Sequence, residues 1–113
     1  MKNIILIGMP GAGKSTVGVL LAKSMGYDFV DADLVIQKQQ GTKLQNIIDE
    51  RGLDGFKQAE EQALLSINDK KAIIATGGSA VFSTAGMAHL KENGICVYLR
   101  VDEQELIRRL TNI

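Results

Sequence analysis

The chain has 113 residues, 45% of them hydrophobic, and thirteen Lys plus Arg balance thirteen Asp plus Glu, which describes one globular domain over 1–113 rather than a disordered chain. That balance, with no basic cluster, excludes broad electrostatic binding to nucleic acid or an anionic membrane, and no apolar run is long enough for a membrane span or a signal peptide. The single cysteine, Cys96, excludes an internal disulfide framework and a cysteine-based zinc site, and it fits a reducing, cytoplasmic location.

Asn3-Ile4-Ile5-Leu6-Ile7 is a near-continuous aliphatic run ending at Gly8, the pattern of a strand buried on both faces of a parallel sheet. From Lys14 onward, Val17, Leu20, Leu21 and Met25 recur at helical spacing, and Gly26 supplies the stop. Tyr27 to Val30 reads as a second strand leading into Asp31-Ala32-Asp33, followed by a helix over Leu34 to Gln39 that Gly41 closes. Thr42 with Gln45 is a capping-box signature for a helix reaching Arg51, with Gly52 as its stop. A longer helix, Gly55 to Ile67, carries Phe56, Ala59, Ala63 and Leu64 on one side. Ala72-Ile73-Ile74-Ala75 is the third strand and runs into a second glycine loop, Thr76-Gly77-Gly78-Ser79. Ser83 caps a helix that ends at Asn93-Gly94, Ile95 to Val101 is the fourth strand, and Asp102 with Glu105 caps a last helix over Glu103 to Leu110. Strands alternate with helices throughout, which predicts an α/β sandwich around a parallel sheet.

Gly8-Met9-Pro10-Gly11-Ala12-Gly13-Lys14-Ser15 fits the phosphate-loop pattern G-x-x-x-x-G-K-[ST], and it sits between a strand and a helix as that loop requires. The glycines let the backbone curl so that successive N–H groups face phosphate oxygens at the positive end of the following helix. Lys14 is a mobile charge for the β- and γ-phosphates, and the Ser15 hydroxyl is a ligand for Mg²⁺. Binding of a nucleoside triphosphate follows from the motif alone.

Such loops usually borrow a metal carboxylate from the end of a later strand. The third strand ends without one, and Asp102 is accounted for as a helix cap. Asp31 and Asp33 stand at the mouth of the second strand, where alternation turns both carboxylates the same way toward the ligand crevice. In that reading Asp31 holds Mg²⁺ through water and Asp33 takes the proton of an acceptor hydroxyl; the alternative for Asp33 is the cap of the next helix. His89 has no partner motif and reads as a surface residue near a helix end, Cys96 as a small core residue, and Arg108 and Arg109 as cations closing the last helix.

Gly8 to Thr16, the Asp31-x-Asp33 pair, Phe56-Lys57-x-x-Glu60 and Thr76-Gly77-Gly78-Ser79, in this order and spacing, resemble shikimate kinase. The resemblance implies a three-layer P-loop kinase with sheet order 2-3-1-4-5 that transfers the γ-phosphate of ATP to the 3-hydroxyl of shikimate. Carried over by position, it implies that Gly11, Ala12, Gly13, Lys14, Ser15 and Thr16 bind ATP and that Ser15 and Asp31 serve Mg²⁺. Lys14 and Asp33 then take the catalytic roles, and Asp33, Lys57, Gly77, Gly78 and Ser79 face the acceptor. The family motif has Arg where Lys57 stands and a third Gly where Ser79 stands. An Arg fork grips a carboxylate through two parallel bonds and Lys offers a single compact charge, while Ser79 adds a hydroxyl to an otherwise bare loop. Two alternatives use the same residues: a P-loop kinase of another hydroxy acid, sugar or nucleotide, and a nucleotide-binding module without transfer. The family is longer than this chain, so the resemblance also implies that the lid, with its phosphate arginine, and the fifth strand are missing. On that expectation the chain alone turns over at least about 100-fold more slowly, for loss of one charge contact of roughly 3 kcal/mol, and self-associates through the exposed fourth strand.

Overall fold

Both faces of β1 (Asn3–Ile7) find cover, which places this strand in the middle of the sheet. Leu6 packs with Ala22 and Ile73 on one side, and Ile5 with Leu64, Ile74, Met87 and Leu90 on the other. The computed structural model describes residues 2–8, 13–99 and 108. The chain continues through α1 (Lys14–Met25), β2 (Asp28–Asp31), α2 (Ala32–Gln40), α3 (Leu44–Ser66) and β3 (Ala72–Ala75). A 3₁₀ turn (Ala80–Phe82), α4 (Thr84–Lys91) and β4 (Gly94–Tyr98) follow. The strands form one parallel sheet in the order β2-β3-β1-β4, the expected order for these four.

One helix, α1, covers the face carrying Ile4, Leu6 and Ile73, while α3 and α4 cover the face carrying Ile5 and Ile74. This gives the three layers of an α/β sandwich. Beside the sheet, Ile36 of α2 packs with Ile47, Ala59 and Ala63 of α3. Both ends of α1 fall where the spacing put them, but its inward stripe differs. The buried positions are Lys14, Gly18 and Ala22, with Val17 and Leu21 half-buried beside them, while Leu20 and Met25 are exposed. A helix against a flat sheet needs small residues on its contact line, so Gly18 and Ala22 occupy it and the larger side chains flank it.

Three start signals resolve differently from their sequence reading. The cap of α2 is Asp31 and not Asp33: one Asp31 oxygen accepts from the Asp33 and Leu34 amides at 3.0 and 3.4 Å. The Thr42–Gln45 box does not form, because the Thr42 hydroxyl accepts from the Asn46 side chain and Gln45 donates to Asp49, so α3 opens from Lys43 without a side-chain cap. Gly52 does interrupt α3, at φ 72 and ψ −177, so the two expected helices meet at a kink with no loop between them. Ser83 caps α4 as expected, through the Gly86 amide at 3.2 Å. The strand expected over Ile95 to Val101 is Gly94–Tyr98, and Ile95, Val97 and Tyr98 on it are exposed. Apart from Arg108, the closing helix over Glu103 to Leu110, its Asp102–Glu105 cap and Arg109 lie outside the described residues.

Asn3 was read only as the first residue of an aliphatic run, yet it ties the lower end of the sheet together. It is 4% exposed; its amide donates to the Asp69 carbonyl at 2.6 Å and its side-chain oxygen accepts from the Ala72 amide at 2.8 Å. Asn3→Ala leaves the buried Ala72 amide without its acceptor and the half-buried Asp69 carbonyl without its donor, and is expected to destabilise the fold by about 1–3 kcal/mol. A shifted denaturant midpoint at unchanged slope measures this, and a change within about 0.5 kcal/mol would contradict it.

Candidate active site

In a parallel sheet all carboxyl ends of the strands open on one side, and the register brings three of them level here: Leu6 of β1 and Asp31 of β2 both pair with Ala75 of β3. Thr76 extends the tie, its hydroxyl donating to the Leu6 carbonyl at 2.8 Å. The crevice beyond this edge receives the phosphate loop, the Asp31–Asp33 pair and the second glycine loop.

Two glycines, one on each side of residues 9–12, which lie outside the described residues, belong to the phosphate loop. Gly8 has φ 154, and a Cβ there would stand 2.6 Å from the Leu99 carbonyl oxygen, so β1 and the chain after β4 close together only over bare backbone. Gly13 opens α1 in the left-handed region at φ 83. Gly11 and Ala12 lie outside the described residues. Lys14, 9% exposed, donates from Nζ to the Gly8 carbonyl at 2.8 Å, so its ammonium stays over the mouth of the loop. Burial pushes its pKa down, and the charge of Asp33 opposes that shift. Ser15 and Thr16 are exposed on the first turn of α1.

Asp31 divides its two oxygens. One serves the α2 cap, and the other lies 3.5 Å from the Ser15 hydroxyl. A hydroxyl and a carboxylate facing each other are the oxygen donors Mg²⁺ takes, one directly and one through a bound water, with phosphate and further water filling the shell.

Asp33 and Glu60 converge on the second glycine loop. A Cβ at Gly77 would lie 2.7 Å from Asp33 Oδ1 and 3.4 Å from Glu60 Oε2, so the bare backbone of Gly77 is what admits both. Burial pushes the Asp33 carboxyl up, the Asp31 charge adds to this, and Lys14 pulls the other way. Glu60, 2% exposed, is likewise pushed up by burial; the Ser79 hydroxyl bond opposes the shift and Asp33 adds to it. Ser79 Oγ donates to the Glu60 carboxylate, at 2.9 and 3.1 Å from its two oxygens. Lys57 is exposed on α3, one turn before Glu60, and with Ser79 and Phe82 it lines a groove of about 580 Å³; Gly78 is exposed. The structure thus brings Lys14, Ser15, Asp31, Asp33 and Gly77 together at the carboxyl ends of the strands, with Ser79 joined to them through Glu60, while the groove that Lys57 lines runs between α3 and α4 and holds none of Lys14, Ser15, Asp31, Asp33 or Gly77. Sequence reading takes Glu60 as the end of the Phe56-Lys57-x-x-Glu60 motif, with an i,i+3 pair to Lys57 on a solvated helix face as the alternative, whereas a buried glutamate bonded to a serine of the glycine loop is what ties α3 to that loop.

A family model for shikimate kinase matches residues 10–112. The chain belongs to the shikimate kinase family. It is 43% identical over 111 residues to a shikimate kinase of Thermodesulfovibrio yellowstonii, covering 97% of this chain and 64% of that protein. It is 44% identical over 109 residues to one of Synechococcus, covering 96% and 55%. Among solved structures, shikimate kinase from Acinetobacter baumannii in complex with shikimate superposes with a TM-score of 0.84 at 36% identity, over 96% of this chain and 62% of that one. The chain therefore spans between about half and two-thirds of the length of these relatives.

Because the folded state raises the Asp33 carboxyl, it holds that proton more tightly than the unfolded chain does. Stability then falls as pH rises from the ordinary carboxylate range through the raised value, and the penalty is complete above it. Asp33→Asn is accordingly expected to raise the denaturation midpoint at pH 7, with the gain vanishing near pH 3, about one unit below the ordinary Asp pKa. Denaturant titrations at the two pH values measure this; an equal gain at both, or a loss at pH 7, would contradict the burial argument.

Proposed function

We propose that this chain forms the phosphate-binding and acceptor-facing part of an enzyme that transfers the γ-phosphate of ATP to the 3-hydroxyl of shikimate. The observation that carries the reading is the meeting of Lys14, the Ser15–Asp31 pair and Asp33 at one end of the sheet, with Asp33 held against Gly77. The relative solved with shikimate supports the choice of acceptor. In this reading the loop from Gly11 to Thr16 cradles the phosphates and Lys14 follows the charge that develops on the β- and γ-oxygens. Ser15, and Asp31 through water, would hold Mg²⁺, which would supply charge neutralisation for the phosphates. The 3-hydroxyl oxygen attacks the γ-phosphorus, the bond to the β–γ bridging oxygen breaks, and the proton goes to Asp33. A carboxylate made more basic by burial suits that task. Lys57 meets the acceptor carboxylate, Gly77 and Gly78 give it bare backbone to approach, and Ser79 acts at one remove through Glu60.

The lone Cys96 fits a reducing, cytoplasmic setting, and no helix among the described residues is long and apolar enough to cross a membrane. Self-association belongs to the same reading: no described strand pairs with the outer edge of β4, where Ile95 and Val97 are exposed. Light scattering is expected to show mass rising with protein concentration and the rise weakened by Val97→Lys; a concentration-independent monomer contradicts it.

A coupled assay of ATP-dependent shikimate phosphorylation tests the activity. Lys14→Ala is expected to weaken triphosphate binding and abolish transfer, through loss of the charge facing the phosphates. Asp31→Asn should raise the Mg²⁺ needed for half-maximal rate, whereas Asp33→Asn should lower the transfer rate at least about 100-fold with nucleotide affinity intact. Identical behaviour of the two aspartate variants would sink the division of labour between them.

A further inference from the structure

Gly18 is buried in the middle of α1, and its backbone is ordinary helix, with no positive φ to call for glycine. Glycine inside a helix is disfavoured relative to alanine, so the position needs another reason. Space supplies it. A Cβ at Gly18 would stand 2.5 Å from Cε1 and 3.2 Å from Cδ1 of Phe29, with Cδ1 of Leu6 at 3.4 Å on its other flank. The Phe29 ring, half-buried in the cluster of Leu6, Ala22 and Ile73, therefore lies directly on the α1 backbone.

That contact and the Ser15–Asp31 pair lie on one seam. Ser15 stands three residues before Gly18 on the helix, and Asp31 stands two residues after Phe29 on the same side of β2. Ladder bonds tie β2 to β3 alone among the described strands, so side-chain packing sets how far α1 stands from β2. One helical turn above the ring, the Ser15 hydroxyl and an Asp31 oxygen are 3.5 Å apart. We propose that Gly18 is a positioning residue for the metal site: by admitting the Phe29 ring against α1, it sets the separation at which Ser15 and Asp31 serve one Mg²⁺. The metal half of this rests on the Mg²⁺ reading above; the spacing half does not. A purely structural alternative has Gly18 and Phe29 filling the core with no consequence at Ser15.

Calorimetric affinity for ADP, measured with a chelator and across a Mg²⁺ titration, tests the proposal on Gly18→Ala, on the Gly18→Ala/Phe29→Leu double variant and on Phe29→Trp, which crowds the contact from the strand side. Gly18→Ala is expected to raise the Mg²⁺ concentration that half-tightens ADP binding by about 10-fold, as displacement of a metal's supporting groups does, and to leave the metal-free affinity within about threefold. Phe29→Trp should shift the Mg²⁺ response in the same direction. The double variant should return to within about threefold of the unaltered chain, because the new methyl then meets no ring. An equal loss with and without Mg²⁺ marks a general distortion of the phosphate loop and overturns the proposal, as does a Gly18→Ala shift that Phe29→Leu fails to relieve. If Gly18→Ala does not fold, an unchanged Mg²⁺ response in Phe29→Trp, or a shifted one in the double variant, overturns it.

The spacing is read without any ligand. Crystal structures of Gly18→Ala and Phe29→Trp should place the Ser15 hydroxyl and the Asp31 carboxylate farther apart than 3.5 Å, by up to about 1 Å, the retreat a Cβ needs to reach ordinary carbon contact. The double variant should restore the separation. An unmoved pair, with the ring swung aside, overturns the proposal. If the unaltered chain binds ADP without regard to Mg²⁺ while the pair moves in the variants, the Mg²⁺ reading fails and the spacing role of Gly18 stands.

Discussion

Asp33 and Glu60 lie against the backbone of Gly77, and the crevice depends on keeping two partly desolvated carboxylates so close. Neither arrangement is comfortable on its own. Burial disfavours both charges, Asp31 adds to the effect at Asp33 and Asp33 adds to it at Glu60, and other groups compensate. Lys14 favours the Asp33 charge from the phosphate loop, and Ser79 donates a hydrogen bond to Glu60. The Lys14 cation and the second glycine loop are thereby joined through one acidic centre. A glycine is required between them because a side chain at position 77 would occupy the space Asp33 uses.

That centre is held by a scaffold indifferent to its chemistry. The parallel sheet levels Leu6, Asp31 and Ala75, and the apolar layers on its two faces fix where α1 and α3 begin and end. Asp31 shows how closely the two tasks are combined. One carboxylate oxygen stabilises the start of α2, which leaves the other facing Ser15. The cap also sets the orientation of the first α2 turn, and with it the direction of Asp33. Strain and desolvation gather at the site while the sheet beneath it is conventionally packed, the division expected where function opposes stability.

Against the family pattern, Lys57 and Ser79 are the two departures, and both line the groove between α3 and α4. Ser79 hydrogen-bonds Glu60, and Lys57 stands exposed one turn earlier on the same helix. The spacing of the motifs placed both residues near the acceptor side, but it treated them as separate contacts.

Much of this was legible in the chain itself because it rests on local chemistry. The strands Asn3–Ile7 and Ala72–Ala75 are apolar runs bounded by glycine or polar residues, Gly26 and Gly41 end their helices in the left-handed region, and G-x-x-x-x-G-K-S specifies its own loop. What the tertiary structure decided involves competition between partners that sequence spacing cannot rank. Thr42 and Asp33 carried valid capping signatures, yet Asn46 claimed the first and Asp31 pre-empted the second. Asn3 reads as a strand residue until β3 and the loop before it supply the carbonyl and amide it satisfies, 66 and 69 residues away. The i,i+3 pairing of Lys57 with Glu60 was the natural local reading, and it lost to a serine 19 residues further on, because burying Glu60 between α3 and the glycine loop made the hydroxyl nearer than the cation. Local propensity determined the elements and the phosphate loop; which polar group satisfies which buried partner was settled only when the layers closed and water left.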